Sequence, residues 1–136
     1  MLRDSKLDGT NLAVRIKTMR GRGGGVENVL YQNLTGSVLA GIQLTLNYHP
    51  DTPPTNSSAT PEMRNITLRN IDVSIKSGSS WLDCEGLPDS TIHGIVFDNV
   101  RVEGHGKETC KLCSIEVDSQ SKPKPRCAHG VVAPFV

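Results

Sequence analysis

Val26-Glu27-Asn28-Val29-Leu30-Tyr31-Gln32-Asn33-Leu34 is the first of three related segments in this chain of 136 residues. The second is Met63–Ile71 and the third is Thr91–Val100. In each segment large apolar residues alternate with variable positions, and an Asn stands directly before the last aliphatic residue. The alternation predicts short β-strands, and Asn tolerates the left-handed backbone conformation that a sharp corner needs.

The corner residues Asn33, Asn70 and Asn99 are 37 and 29 residues apart, within the range of solenoid repeats. Further strands are predicted at Gly41–Leu46 and Val73–Ile75. No window shows the apolar spacing and N-cap of a helix. A β-sandwich is the competing all-β architecture. The long, uneven connections and the low aromatic content of 4% favour a parallel β-helix with a narrow aliphatic interior.

Charge and composition limit the class of partner. The chain carries 15 Lys+Arg against 14 Asp+Glu, so it lacks the basic excess of a nucleic-acid-binding surface. No apolar run approaches the roughly 18 residues of a membrane span, and Met1–Lys6 does not resemble a signal peptide. We therefore expect neither a nucleic-acid nor a membrane partner, and no cofactor is indicated.

The stretch Ala13–Thr18 predicts a strand with a cation pair on one face. Because successive side chains of a strand point to opposite faces, Arg15 and Lys17 project together, while Val14 and Ile16 face the other way. Such a pair is suited to an anion such as a carboxylate or phosphate. The alternative is a solvated edge strand whose cations prevent edge-to-edge pairing.

The cysteines and glycosylation sequons favour a secreted protein. Four cysteines form an even set with three possible pairings: Cys84, Cys110, Cys113 and Cys127. The Cys110–Cys113 spacing could serve a metal or redox site, but no second close ligand pair accompanies it, so disulfides are favoured and no metal is predicted. Sequons at Asn33, Asn56 and Asn65 are candidate glycosylation sites and agree with an extracellular location.

Several of these segments together resemble glycoside hydrolase family 28, the polygalacturonases. The resemblance rests on Arg15-Ile16-Lys17, a glycine-rich turn and the strand Val26–Asn33, followed by a strand that ends in Tyr48. The segment Asn65–Ile71 resembles the next coil, and Cys113–Cys127 resembles the C-terminal cysteine loop. The similarity extends from residue 2 to about residue 127.

The resemblance implies the C-terminal coils of a right-handed parallel β-helix of the pectin-lyase-like type, over residues 1–127, with a tail at 128–136. It implies action on α-1,4-linked galacturonan, an acidic polysaccharide, by an enzyme that is monomeric at full length. Arg15 and Lys17 match the cations that bind the substrate carboxylate, and Tyr48 matches a tyrosine of the same cleft. The cysteine loop implies pairing of Cys113 with Cys127 and of Cys84 with Cys110.

The sequence also departs from the family. Inverting hydrolysis needs a carboxylic acid and a carboxylate base. The family carries these in N-T-D and D-D blocks, with a G-H-G block, before the R-I-K strand, and none of the three precedes Arg15 here. Asp4 and Asp8 do not match them, so no catalytic residue is assigned. The chain is therefore expected to be inactive alone, and the alternative function is a non-catalytic β-helix module that binds acidic polysaccharide.

Other candidate residues are assigned structural roles. Gly104-His105-Gly106 follows the R-I-K strand instead of preceding it and is interpreted as a turn. His93 is expected at the surface, and Trp81 in a packing role in preference to sugar stacking. The polar, proline-rich segment His49–Pro61 predicts a surface loop.

Overall fold

The computed structural model describes residues 1–19, 21, 24–48, 60–104 and 106–131. The described residues form eight β-strands and no helix, and so no helix that could cross a membrane. The strands are β1 (Leu2–Lys17), β2 (Gly25–Thr45), β3 (Glu62–Ile75), β4 (Ser80–Glu85), β5 (Ile92–Glu103), β6 (Lys107–Lys111), β7 (Cys113–Val117) and β8 (Ala128–Val131).

All strand pairs are parallel, and the chain winds as a right-handed parallel β-helix, as predicted. β1 pairs with both halves of β2. On its other edge the first part of β2 pairs with β3, and its last part, Ile42–Thr45, pairs with β4. Two ladders then continue side by side, one through β3, β5, β7 and β8 and the other through β4 and β6. Each coil of the solenoid thus contributes to two faces.

The core is a stack of aliphatic side chains inside the solenoid. Register partners from successive coils occupy the same interior position: Leu34, Ile71 and Val100 lie one above another and are 0–1% exposed. Trp81 is 5% exposed and packs in this core, which confirms its predicted packing role. A narrow interior of this kind needs few aromatic residues, in agreement with the composition.

The corners confirm the role predicted for Asn. Asp4, Asn33, Asn70 and Asn99 are aligned on successive coils and all have φ between 53° and 57°. Each Asn side chain donates from Nδ2 to the Oδ1 atom of the residue one coil earlier, at 2.8 to 3.2 Å. We call this column the corner ladder. It supplies the left-handed conformation and pairs the side-chain amides that the corner exposes.

The strands are longer than predicted because the corners do not interrupt them. β2 includes the predicted strand Gly41–Leu46 as far as Thr45, and β3 runs through Val73–Ile75. β1 begins at Leu2, well before the predicted strand at Ala13. A single left-handed residue turns the chain while the residues on both sides keep their pairing with the adjacent coil.

The last coil is held by Asp118, which is 7% exposed. Its carboxylate accepts hydrogen bonds from the backbone N–H of Asn99 and from the backbone N–H and hydroxyl of Ser121, at 2.7 to 3.0 Å. Burial raises the pKa of Asp118, but these hydrogen bonds outweigh burial, so its pKa lies below the usual value. The charged carboxylate therefore fixes the segment that follows β7.

All four cysteines form disulfides, as predicted, but the predicted pairing is wrong. Cys84 is bonded to Cys113, and Cys110 is bonded to Cys127, with Cα–Cα distances of 6.0 and 5.7 Å. Cys84 and Cys110 are register partners on β4 and β6, so their side chains lie side by side instead of converging. Cys113 lies beyond the corner at Leu112, where its side chain reaches the buried Cys84.

The Cys110–Cys127 bond joins β6 to the residue directly before β8. β8 pairs with β7 and so extends the sheet past residue 127, where the sequence places the start of the tail. The disulfide explains this extension, because it holds the chain against the preceding coil at the point where the strand begins.

Candidate functional site

Arg15 and Lys17 lie on the outer side of β1 and are exposed. Val14 and Ile16, which alternate with them, are 1% and 8% exposed and belong to the core. The alternation predicted from the sequence is therefore confirmed. We call the outer surface formed by the ends of β1 and β2 together with β4 and β6 the cation face.

Tyr48 joins the two cations on this face. Arg15 Nη2 donates a hydrogen bond to Tyr48 Oη at 3.1 Å. Lys17 Nζ lies 4.3 Å from the centroid of the Tyr48 ring and Arg15 Cζ lies 5.2 Å from it, both within the range of cation–π contacts. The structure thus brings together the three residues that the sequence analysis assigned to one cleft.

The backbone around Tyr48 fixes this arrangement. The Tyr48 N–H donates to the carbonyl oxygen of Thr18 at 3.1 Å, and the Thr18 N–H donates to Thr45 at 2.9 Å. The hydroxyl of Thr45, a residue that is 3% exposed, accepts a hydrogen bond from the Asn47 N–H at 3.0 Å. The segment after β2 is therefore held beside the end of β1, which places the tyrosine ring against the cations.

The cation face is electropositive at this point. No carboxylate of the described residues forms an ion pair with Arg15 or Lys17. The pKa of Tyr48 is lowered, first by its hydrogen bond with Lys17 and the Lys17 charge, and also by Arg15. Two cations that share a neutral ring and have no ion-paired carboxylate among the described residues can accept an external anion.

Two carboxylates on the same face were missed by the sequence reasoning. Asp83 is the register partner of Gln43, whose own partner on β1 is Arg15. Gln43 Nε2 donates to Asp83 Oδ2 at 3.1 Å. Two residues on, Glu85 accepts a hydrogen bond from Asn47 Nδ2 at 3.1 Å. The Asp-x-Glu spacing was the available signal in the sequence, but only the fold shows that Asp83 is in register with Arg15.

The two early acids lie apart from the cations. Asp4 belongs to the corner ladder, and Asp8 pairs with Ser37 on another part of β1 and β2. Neither one contacts Arg15 or Lys17.

The remaining candidate residues are placed as follows. His93 is exposed, as expected. Asn33 and Asn65 are exposed at corners, and each donates its Nδ2 to the residue one coil earlier. Asn56, His49 and His105 lie outside the described residues, as does most of the predicted loop His49–Pro61.

The described residues contain no group of three or more His, Cys, Asp or Glu side chains that could hold a metal ion. A groove of about 450 Å³ lies elsewhere, on the face of β2, β3 and β5, and is lined by residues that include Asn70 and Arg101.

Comparison with known proteins identifies the family. The family model for glycosyl hydrolases family 28 matches residues 1–122, nearly the whole chain. The chain belongs to this family. It is 27% identical over 128 residues to a polygalacturonase from Malus domestica, an alignment that covers 90% of this chain and 26% of the apple protein. No solved structure gave a significant match.

Proposed function

We propose that this chain forms the substrate-carboxylate-binding part of a cleft that hydrolyses α-1,4-linked galacturonan, the acidic polymer of pectin. The observation that carries the proposal is the contact of the exposed Arg15 and Lys17 with Tyr48, without an ion-paired carboxylate among the described residues. Family membership supports the substrate class.

The three residues have distinct roles in this proposal. The guanidinium of Arg15 offers a planar pair of donors to one substrate carboxylate. Lys17 adds a compact charge to the same anion. Tyr48 keeps the two cations together and presents its hydroxyl at the edge of the cleft. Each charge-assisted contact is worth roughly 1.5–3 kcal/mol.

Hydrolysis of the glycosidic bond needs a catalytic acid and a catalytic base in addition to these three residues. An inverting glycosidase places its acid and its base about 6.5–9.5 Å apart on opposite sides of the scissile bond. The family blocks that carry them are absent from this sequence. We propose that this chain binds galacturonan without cleaving it, and that cleavage requires carboxylates from coils stacked on β1. The disulfides support an oxidising, extracellular location.

The second candidate function is a β-helix module that binds acidic polysaccharide and takes no part in hydrolysis. It is favoured by one observation: neither Asp4 nor Asp8 contacts the cation pair. The two functions share the same binding face. They differ in whether the full-length protein releases reducing sugar from polygalacturonate.

Binding of de-esterified polygalacturonate by the 136-residue chain tests the proposal, with affinity electrophoresis as the measurement. Arg15→Gln with Lys17→Met should weaken binding by roughly one to two orders of magnitude, because charge-assisted contacts are lost. The matched control is Arg101→Gln with Lys76→Met, which removes the same charges from exposed positions on β5 and after β3. Equal loss in both double variants would contradict the proposal, as would release of reducing sugar by the chain alone.

A further inference from the structure

Between β1 and β4 the cation face changes sign along the axis of the solenoid. Arg15 on β1 is followed in register by Gln43 on β2 and Asp83 on β4. Lys17 is followed by Thr45 and Glu85 in the same way. Side chains at paired positions of parallel strands point to the same side of the sheet. The two cations are thus followed, two coils on, by two carboxylates.

Strand geometry sets the distances in this arrangement. Adjacent strands are about 4.8 Å apart, so the carboxylates lie roughly 10 Å from the cations along the solenoid axis. Asp83 and Glu85 are separated by two residues of one strand, about 7 Å. This spacing is short enough for an extended polymer to contact both charge pairs at once.

The carboxylates are held in place but not neutralised. Each accepts a hydrogen bond from a neutral amide, Asp83 from Gln43 and Glu85 from Asn47. Both residues are partly exposed. Neither forms an ion pair with a Lys or Arg of the described residues, although Lys111 is the register partner of Glu85. The face therefore presents two fixed negative charges beside the cation pair.

We infer that Asp83 and Glu85 determine which galacturonan this face binds. They select polymer in which the sugars toward β4 from the bound carboxylate carry methyl-esterified carboxyl groups. The inference rests on the proposed function. With one substrate carboxylate on Arg15 and Lys17, a further free carboxylate toward β4 faces like charges, which repel it. An esterified sugar brings no charge, and its hydroxyls can donate to both carboxylates.

The test compares two polymers of equal length, de-esterified and partly methyl-esterified galacturonan, at low ionic strength and with a chelator present. The variant is Asp83→Asn with Glu85→Gln, whose amide oxygens still accept the bonds from Gln43 and Asn47. Its affinity for the de-esterified polymer should rise roughly tenfold, and its affinity for the esterified polymer should change less than twofold. The gain should shrink at high salt, since screening weakens charge repulsion.

The matched control is Asp72→Asn with Glu103→Gln, which removes the same two charges from exposed positions on β3 and β5. A gain equal to that of the control would assign the effect to net charge and overturn the inference. An unchanged ratio of the two affinities in Asp83→Asn with Glu85→Gln would overturn the inference as well. In either case, loss of binding in Arg15→Gln with Lys17→Met would leave the proposed function standing. Failure of the unmodified chain to bind either polymer would reject both proposals.

Discussion

The pKa values of the two tyrosines of this chain are shifted in opposite directions, one by contact with Lys17 and the other by burial. The hydrogen bond and charge of Lys17 lower the pKa of Tyr48, with a further contribution from Arg15. Burial raises the pKa of Tyr31, which lies half-buried on β2. The ionisation of the two phenols should therefore occur in two steps, on either side of the ordinary value of about 10.

An ultraviolet titration of phenolate absorbance checks this contact. Tyr31→Phe should leave one step, which begins below the ordinary pKa, and Lys17→Met in that background should move it to higher pH. A neutral phenol buried in the fold favours the folded state below about pH 10, and that contribution is lost as pH rises through the raised pKa of Tyr31. A Tyr48 step unaffected by Lys17→Met would show that the two side chains do not interact in solution.

Asn70 combines two functions at its corner. It donates to Asn33 and accepts from Asn99, at 3.2 and 3.1 Å, and it has a φ of 53°. Asn70→Ala removes both hydrogen bonds. It also leaves in the left-handed region a residue whose side chain cannot form the local hydrogen bonds that let Asn adopt this conformation. We expect a loss of about 2–3 kcal/mol in the free energy of unfolding.

Asn70→Gly separates the two effects, because glycine adopts this backbone conformation without steric cost. Chemical denaturation should show Asn70→Gly to be less destabilising than Asn70→Ala by about 1 kcal/mol. Ser74→Ala, at an exposed position of β3, serves as the control and should change little. Equal losses for the Gly and Ala variants would assign the whole effect to the hydrogen bonds.

At the scale of strands, the two disulfides connect different pairs of elements. Cys84–Cys113 joins β4 to the first residue of β7, and Cys110–Cys127 joins β6 to the segment before β8. The second bond closes a sequence separation of 17 residues. In the chain-entropy account such a loop contributes roughly 3 kcal/mol by restricting the unfolded chain.

Peptide mass mapping of a non-reduced digest should recover these two pairs. Cys110→Ser with Cys127→Ser should lower the free energy of unfolding by up to about 3 kcal/mol and should loosen β8 first, because that strand pairs only with β7 among the described strands. Hydrogen exchange of the Ala128 and His129 amides measures the local effect. Recovery of a Cys84–Cys110 or Cys113–Cys127 peptide would contradict the assigned pairing.

At the scale of the whole molecule, the first coil is less well covered than the coils that follow it. Leu2 is 43% exposed on β1, whereas Leu68 and Phe97, which continue its register column on β3 and β5, are fully buried. Within the described residues β1 has a strand neighbour on one edge only. Unpaired backbone groups beside exposed apolar side chains favour association with another strand.

We therefore expect the isolated chain to self-associate as its concentration rises, measured by sedimentation velocity. Leu2→Glu should shift the equilibrium toward monomer, because it places a charge at the open end. Leu39→Glu is the control, since Leu39 is similarly exposed, at 45%, on β2, which is paired on both edges. A monodisperse monomer at every concentration, or equal effects of the two variants, would contradict this expectation.

Short-range chemistry made much of this molecule predictable from its sequence. Strand alternation depends on the neighbours of a residue, so the outward position of Arg15 and Lys17 was predictable. The corner preference of Asn33, Asn70 and Asn99 depends on the backbone of one residue and on its own side chain. The class of fold followed from repeating these local patterns with an aliphatic interior.

Only the tertiary structure decided which residues of different coils become neighbours. Asp83 and Arg15 lie on one face because β2 lies between β1 and β4 in a particular register. The disulfide pairing likewise depends on the corner between Cys110 and Cys113, which turns the two sulfurs toward different coils. The coils differ in length and their connections vary, so sequence separation does not fix which residues of neighbouring coils are aligned. The pairing of whole strands and the packing of the shared core fix it.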